Sequence, residues 1–140
     1  MEKHLLKLMA LAFLAVALTG VALAESNTHV VRANIPFDFY AGGQLHPAGE
    51  YTISINDESD MVMIGTQAAG SRSLLLGIHE DASRDERTVL TFKLVGGNVY
   101  ALRKLQSPDL GLSFNGRAPQ PSVSAQSQAP ESVTIVAQAR

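Results

Sequence analysis

From Val31 to Tyr40 the chain alternates without a break: Val31, Ala33, Ile35, Phe37 and Phe39 share one parity, and Arg32, Asn34, Pro36, Asp38 and Tyr40 the other. A period of two with one apolar and one polar row predicts a half-buried strand. Pro36 has no N–H for a ladder, so this strand is expected at a sheet edge or bulged there. After a break at Ala41-Gly42-Gly43-Gln44, the Pro47-Ala48-Gly49 turn leads into a second alternating strand. There Tyr51, Ile53 and Ile55 oppose Thr52, Ser54 and Asn56. His46, beside Pro47, reads as an exposed turn residue. Asp57-Glu58-Ser59-Asp60 is a solvated turn that sends the chain back through Met61–Ile64 as the return arm of a hairpin.

Leu74-Leu75-Leu76-Gly77-Ile78 is apolar on both parities, which predicts a central strand covered on both faces. His79–Arg87 follows as a mixed-charge loop. Val89–Val95 and Val99–Leu105 flank Gly96-Gly97-Asn98, residues that tolerate the positive φ of a tight hairpin. Leu90, Phe92 and Leu94 form one face of its first arm, and Leu110–Phe114 is a short strand candidate. Asn115–Pro130 holds three Pro, three Ser and three Gln and too little apolar surface to offset ordering, so it reads as a flexible linker. Ser132–Val136 regains strand character. No long stretch shows helical period. The expected fold is all-β, a small antiparallel β-sandwich or barrel of about six to eight short strands.

The first 24 residues follow a different rule. A cationic start with Lys3 and Lys7, an uncharged Leu8–Val21 stretch and small residues in Ala22-Leu23-Ala24 predict a signal peptide cut between Ala24 and Glu25. The expected organisation is therefore a leader over 1–24, a β domain over 25–114, a linker over 115–130 and a C-terminal strand or tail over 131–140. With 17 apolar positions and no basic cluster after them, the leader is not expected to remain as a membrane span. Of 140 residues with net charge −2, removing a leader that carries Glu2, Lys3 and Lys7 leaves 116 with net −3. That charge disfavours nucleic acid as a partner. The chain has no Cys and no Trp. An exported domain without disulfides must hold itself together by burial and backbone hydrogen bonding. Its few aromatics are too few for the two girdles of an outer-membrane barrel.

Ile35-Pro36-Phe37-Asp38-Phe39, Gly42 and Pro47-Ala48-Gly49-Glu50-Tyr51-Thr52-Ile53 resemble a run found in a family of uncharacterised small exported proteins of environmental bacteria. Members of that family pair a signal peptide with a V/I-P-F-x-F strand and a P-A-G-x-Y-x-[IV] motif. A later family hairpin looks like Phe92–Leu102, with Gly96 and Tyr100 in place. The resemblance covers the leader and about half of the rest. It implies export, periplasmic or extracellular, and a compact β domain, and it carries no catalytic residues. Two departures stand out. His46 takes a position where the family carries an apolar residue, and the tail after Ser107 lacks the family's aromatic and basic residues.

Candidate chemistry is sparse. His79-Glu80-Asp81-Ala82-Ser83 opens like a zinc-protease helix but has Ser83 where the second His is required. Gly111-Leu112-Ser113-Phe114-Asn115-Gly116 misses the nucleophile elbow by one residue. Asp57–Asp60 has carboxylates, but Met61 and Met63 occupy later ligand positions of the calcium-loop pattern. His29, His46 and His79, with the acidic loop, leave open a metal-dependent or other hydrolase. Tyr40, Tyr51 and Tyr100 are the candidate ligand contacts, since sugars stack on flat rings. A third alternative is assembly by exchange of the C-terminal strand. The leading expectation is a non-catalytic structural or binding module of the bacterial envelope or extracellular space. It needs no cofactor, and its partner is an envelope protein or a glycan.

Overall fold

In the computed structural model, which describes residues 27–66, 70–116, 118 and 130–139, eleven strands and no helix are found. The expected leader with its Ala24/Glu25 cut, and most of the expected linker, lie outside the described residues. No described helix is long and apolar enough to cross a membrane.

Alternation builds the first half of the sheet. β1 (Thr28–Ile35) buries Val31, Ala33 and Ile35, and β4 (Gly49–Asn56) buries Tyr51, Ile53 and Ile55. The two pair antiparallel over eight residues, from Thr28↔Asn56 to Ile35↔Gly49. β4 continues through the Asp57–Asp60 turn into β5 (Met61–Gly65), and β5 pairs with β6 (Arg72–Leu76). Asp60 takes a positive φ of 52° in that turn.

The second half grows from the Gly96–Asn98 hairpin. β8 (Thr88–Gly96) and β9 (Val99–Gln106) pair as the sequence predicts, with register shifts after Thr91 and Leu94. Along one edge of β9 lie β2 (Phe39–Ala41), parallel, and β10 (Gly111–Ser113), antiparallel. β2 carries β3 (Gln44–His46), and β10 carries β7 (Ile78–Glu80). β11 (Ser132–Ala139) joins the halves within the chain, pairing with β8 over six residues and with β1 at Val31 and Arg32. The order β3-β2-β9-β8-β11-β1-β4-β5-β6 gives a barrel-like sheet that stops one ladder short of closure.

All-β is therefore correct, and the strand count is higher than the pattern suggested. β2, β3, β7 and β10 have three residues each, too few to display alternation. Pro36 ends β1, which sits between β11 and β4 and is no edge strand. Without a donor at Pro36 the ladder with β4 stops at Ile35, and the chain crosses to β9, where the Tyr100 N–H donates to Asp38 O. Phe37 and Phe39 still face inward after the crossing. Phe37 packs on Phe92 and Tyr100, and Phe39 sits edge-on to Tyr51 and Phe92 at 5.1 and 5.3 Å.

β6 departs furthest from expectation. Leu74 and Leu76 point to solvent, 56% and 74% exposed, while Ser73 and Leu75 are buried. The sequence predicts a central strand covered on both faces; β6 instead ends the strand order, and only its inward parity is covered.

Candidate functional site

Two features of the β3–β6 region merit a chemical reading, one inside the barrel and one outside. Inside, β3 and β6, the two ends of the main strand order, meet. His46 is fully buried, not an exposed turn residue. It pairs across β2–β3 with Phe39, and the two rings stack at 5.3 Å; Tyr51 lies edge-on at 5.7 Å. Its Nε2 lies 2.8 Å from Ser73 Oγ, and Ser73 donates to Gln44 Oε1 at 3.0 Å. Side chains thus join the edges where the ladder is missing. The turn between β2 and β3 comes just as close. A Cβ on Gly42 would lie 3.1 Å from the Leu74 carbonyl, and Gly42 has a φ of 60°, so glycine is required there twice over.

A Ser Oγ at 2.8 Å from an imidazole has the spacing of a nucleophile and its base. The proton is not placed for that chemistry. The Ser73 hydroxyl hydrogen points at Gln44 Oε1 and not at the ring, so His46 is not set to draw it off as a base. Among the described residues His46 Nδ1 meets no geometric hydrogen-bond partner, and no carboxylate is bonded to the ring. Burial pushes the His46 pKa below its ordinary value, with the Ala41 backbone pulling the other way more weakly. The ring is therefore neutral at pH 7, and the trio acts as a clasp.

The other sequence candidates are dispersed. His29 Nε2 lies 3.0 Å from Asp57, and His79 Nδ1 3.2 Å from Asp60, both exposed at opposite ends of one turn. Among the described residues no three His, Cys, Asp or Glu side chains cluster as a metal would require. Glu80, from the motif that opens like a zinc-protease helix, is bonded to Lys104 Nζ at 2.8 Å across β10. That bond holds its carboxyl below the usual range. Gly111, between these strands, admits no Cβ because the Asp81 carbonyl occupies the space.

Of the tyrosines, Tyr51 and Tyr100 are core residues, 1% and 4% exposed. Tyr51 donates to Pro47 O at 2.6 Å, and burial, helped by the Asp38 charge, raises its pKa. Tyr100 donates to Pro130 O at 3.1 Å. Neither offers a ring face to a ligand. Tyr40 is half-buried and lines a depression with Leu75, Leu102 and Phe114, but its volume of about 20 Å³ holds one water and no sugar ring.

Outside, the same strands carry an apolar surface that sequence reasoning missed. The outward row of β5 is Met61 and Met63, and that of β6 is Leu74 and Leu76, with Met61 opposite Leu76 and Met63 opposite Leu74. Ile78 extends the row past Gly77. Leu45 borders it from β3, between the two residues that bond Ser73. The Leu74–Ile78 run was itself the signal for this surface. A segment apolar on both parities needs cover on both sides, and the barrel covers one. Compared with known protein families, curated proteins and solved structures, the chain matches none.

Proposed function

We propose that this protein is an exported, non-catalytic binding module of the bacterial envelope or extracellular space, and that it acts through the outer face of β5, β6 and β7. The observation that carries this reading is that, of the seven large apolar side chains exposed among the described residues, six fall on this face and its β3 border, Val136 on β11 being the seventh. Monomeric proteins scatter exposed apolar residues singly; a contiguous group marks an interaction surface. The interior supports the same reading. The serine–imidazole pair His46–Ser73 joins the β3 and β6 edges, and the Tyr51 and Tyr100 hydroxyls are committed to backbone carbonyls. Export rests on the Met1–Ala24 pattern and on the resemblance noted above. A lipid-facing role for the barrel wall fits less well, since such a wall is apolar all round. Here Arg32, Asn34 and Glu50 stand on the outer rows of β1 and β4.

The test uses the protein in its own cells. A photo-crosslinking residue at position 76 is expected to capture a protein in the envelope fraction, on a chain whose N-terminus is Glu25. The same residue at position 52, on the outer row of β4, captures none. Equal capture at both positions, or at neither, defeats the reading.

A further inference from the structure

We propose that the partner on this face is a second copy of the chain, and that Met61, Met63, Leu74, Leu76, Ile78 and Leu45 form the core of a two-fold homodimer; this rests on the binding reading above. Area is the first argument. The six side chains are 36–74% exposed and leave on the order of 500 Å² of apolar surface to water, at the upper end for a monomer. A standard interface takes about 800 Å² from each partner, of which about 450–520 Å² is apolar. The patch is thus the size of one apolar half-interface.

Charge placement is the second argument. Arg72 stands on the same outward row as Leu74 and Leu76, at the far end from the β4–β5 turn. Among the described residues it holds no carboxylate. The turn at the other end carries Asp57, Glu58 and Asp60. In an isologous dimer the same patch meets itself in reverse, so a two-fold axis near Leu74 sets Arg72 of each copy toward the acidic turn of the other. One basic and one acidic rim on opposite sides of an apolar centre is the pattern a self-complementary face requires. Pairing occurs face to face, because the middle of the β6 backbone edge is already occupied by Gly42.

The test is sedimentation of the purified, processed protein, with circular dichroism to show that each variant keeps the native fold. The native protein is expected to be dimeric. Leu74→Lys and Leu74→Glu, each alone, weaken association by about a hundredfold or more, since a like charge meets itself across the axis. Mixing the two variants restores a dimer containing one of each. A native protein that stays monomeric overturns the proposal, as does a dimer indifferent to both substitutions. A monomeric native protein combined with position-76 capture of a different protein in cells removes self-association and leaves the binding reading intact.

Discussion

β4 and β6 are both strands of the same half-sheet, two places apart, and they use alternation in opposite ways. β4 turns Tyr51, Ile53 and Ile55 inward and Thr52, Ser54 and Asn56 outward. β6 turns Ser73 inward beside Leu75 and leaves Leu74 and Leu76 in water. Sliding β6 by one residue would reverse its faces and bury both exposed leucines. The register that holds instead gives Ser73 to His46 and Gln44. A strand's parity is therefore decided by the neighbours it must satisfy as well as by its own hydrophobicity. At the seam of this barrel a buried polar group outranks two leucines.

The largest effect expected from this contrast is on stability. Ile53→Ala, in the inner row of β4, should lower the unfolding free energy by about 2–5 kcal/mol through lost burial and a cavity. Leu74→Ala, in the outer row of β6, should change it by less than about 0.5 kcal/mol in the isolated monomer. Urea unfolding of the two variants at low concentration makes the comparison, and equal losses would mean that Leu74 is not solvent-facing.

Next in size is the clasp. Ser73→Ala leaves the buried His46 Nε2 without its hydrogen-bond partner and should cost about 1–3 kcal/mol. In a His46→Phe background the same change should cost much less, because no ring nitrogen is left stranded. A four-protein thermal melting cycle reads the coupling; strict additivity would show that the two side chains act independently.

The third effect depends on pH. The native His46 pKa is depressed while the unfolded value is near 6.5, so between the two the unfolded chain binds more protons. Stability contributed by the neutral ring is full above about pH 6.5 and is lost as pH falls toward the native pKa, by at most about 1.4 kcal/mol per pH unit. The readout is the difference between native protein and His46→Gln, which isolates this ring from every other group. The variant should show the shallower acid decline in melting temperature, and identical slopes would assign the acid sensitivity elsewhere.

Smallest in stability is a change that makes β4 imitate β6. Ser54→Leu on its outer row should alter the unfolding free energy by no more than about 0.5 kcal/mol. It sits opposite Met63 and so widens the apolar surface, and light scattering should show increased self-association.

These strands also explain what could be read in advance. β1, β4 and the β8–β9 hairpin announce themselves because one row of each is apolar and one polar, and because Gly96, Gly97 and Asn98 fit a tight turn. Three-residue strands such as β3 and β7 carry less than two periods and are visible only through their partners. His46 was misread because its surroundings come from distant segments: Phe39, Tyr51 and Ser73 converge on it only once the sheet curls. The outer patch was hidden for a different reason. Pattern reading assumes that every apolar residue is covered by the same chain, and Leu74, Leu76 and Ile78 break that assumption. Tyr51 and Tyr100 mark the opposite error, since a tyrosine whose hydroxyl finds a carbonyl serves a core as readily as a binding platform.

Gly42 has a further consequence at the seam. A bare strand edge is a template on which copy after copy can add, the route by which sheet proteins grow into fibrils. With the tip of the β2–β3 turn resting on the Leu74 carbonyl, the middle of that template is capped by the molecule's own backbone. In the proposed dimer the apolar faces meet while this rim stays shielded, so strand addition at the β6 edge does not compete with the pair.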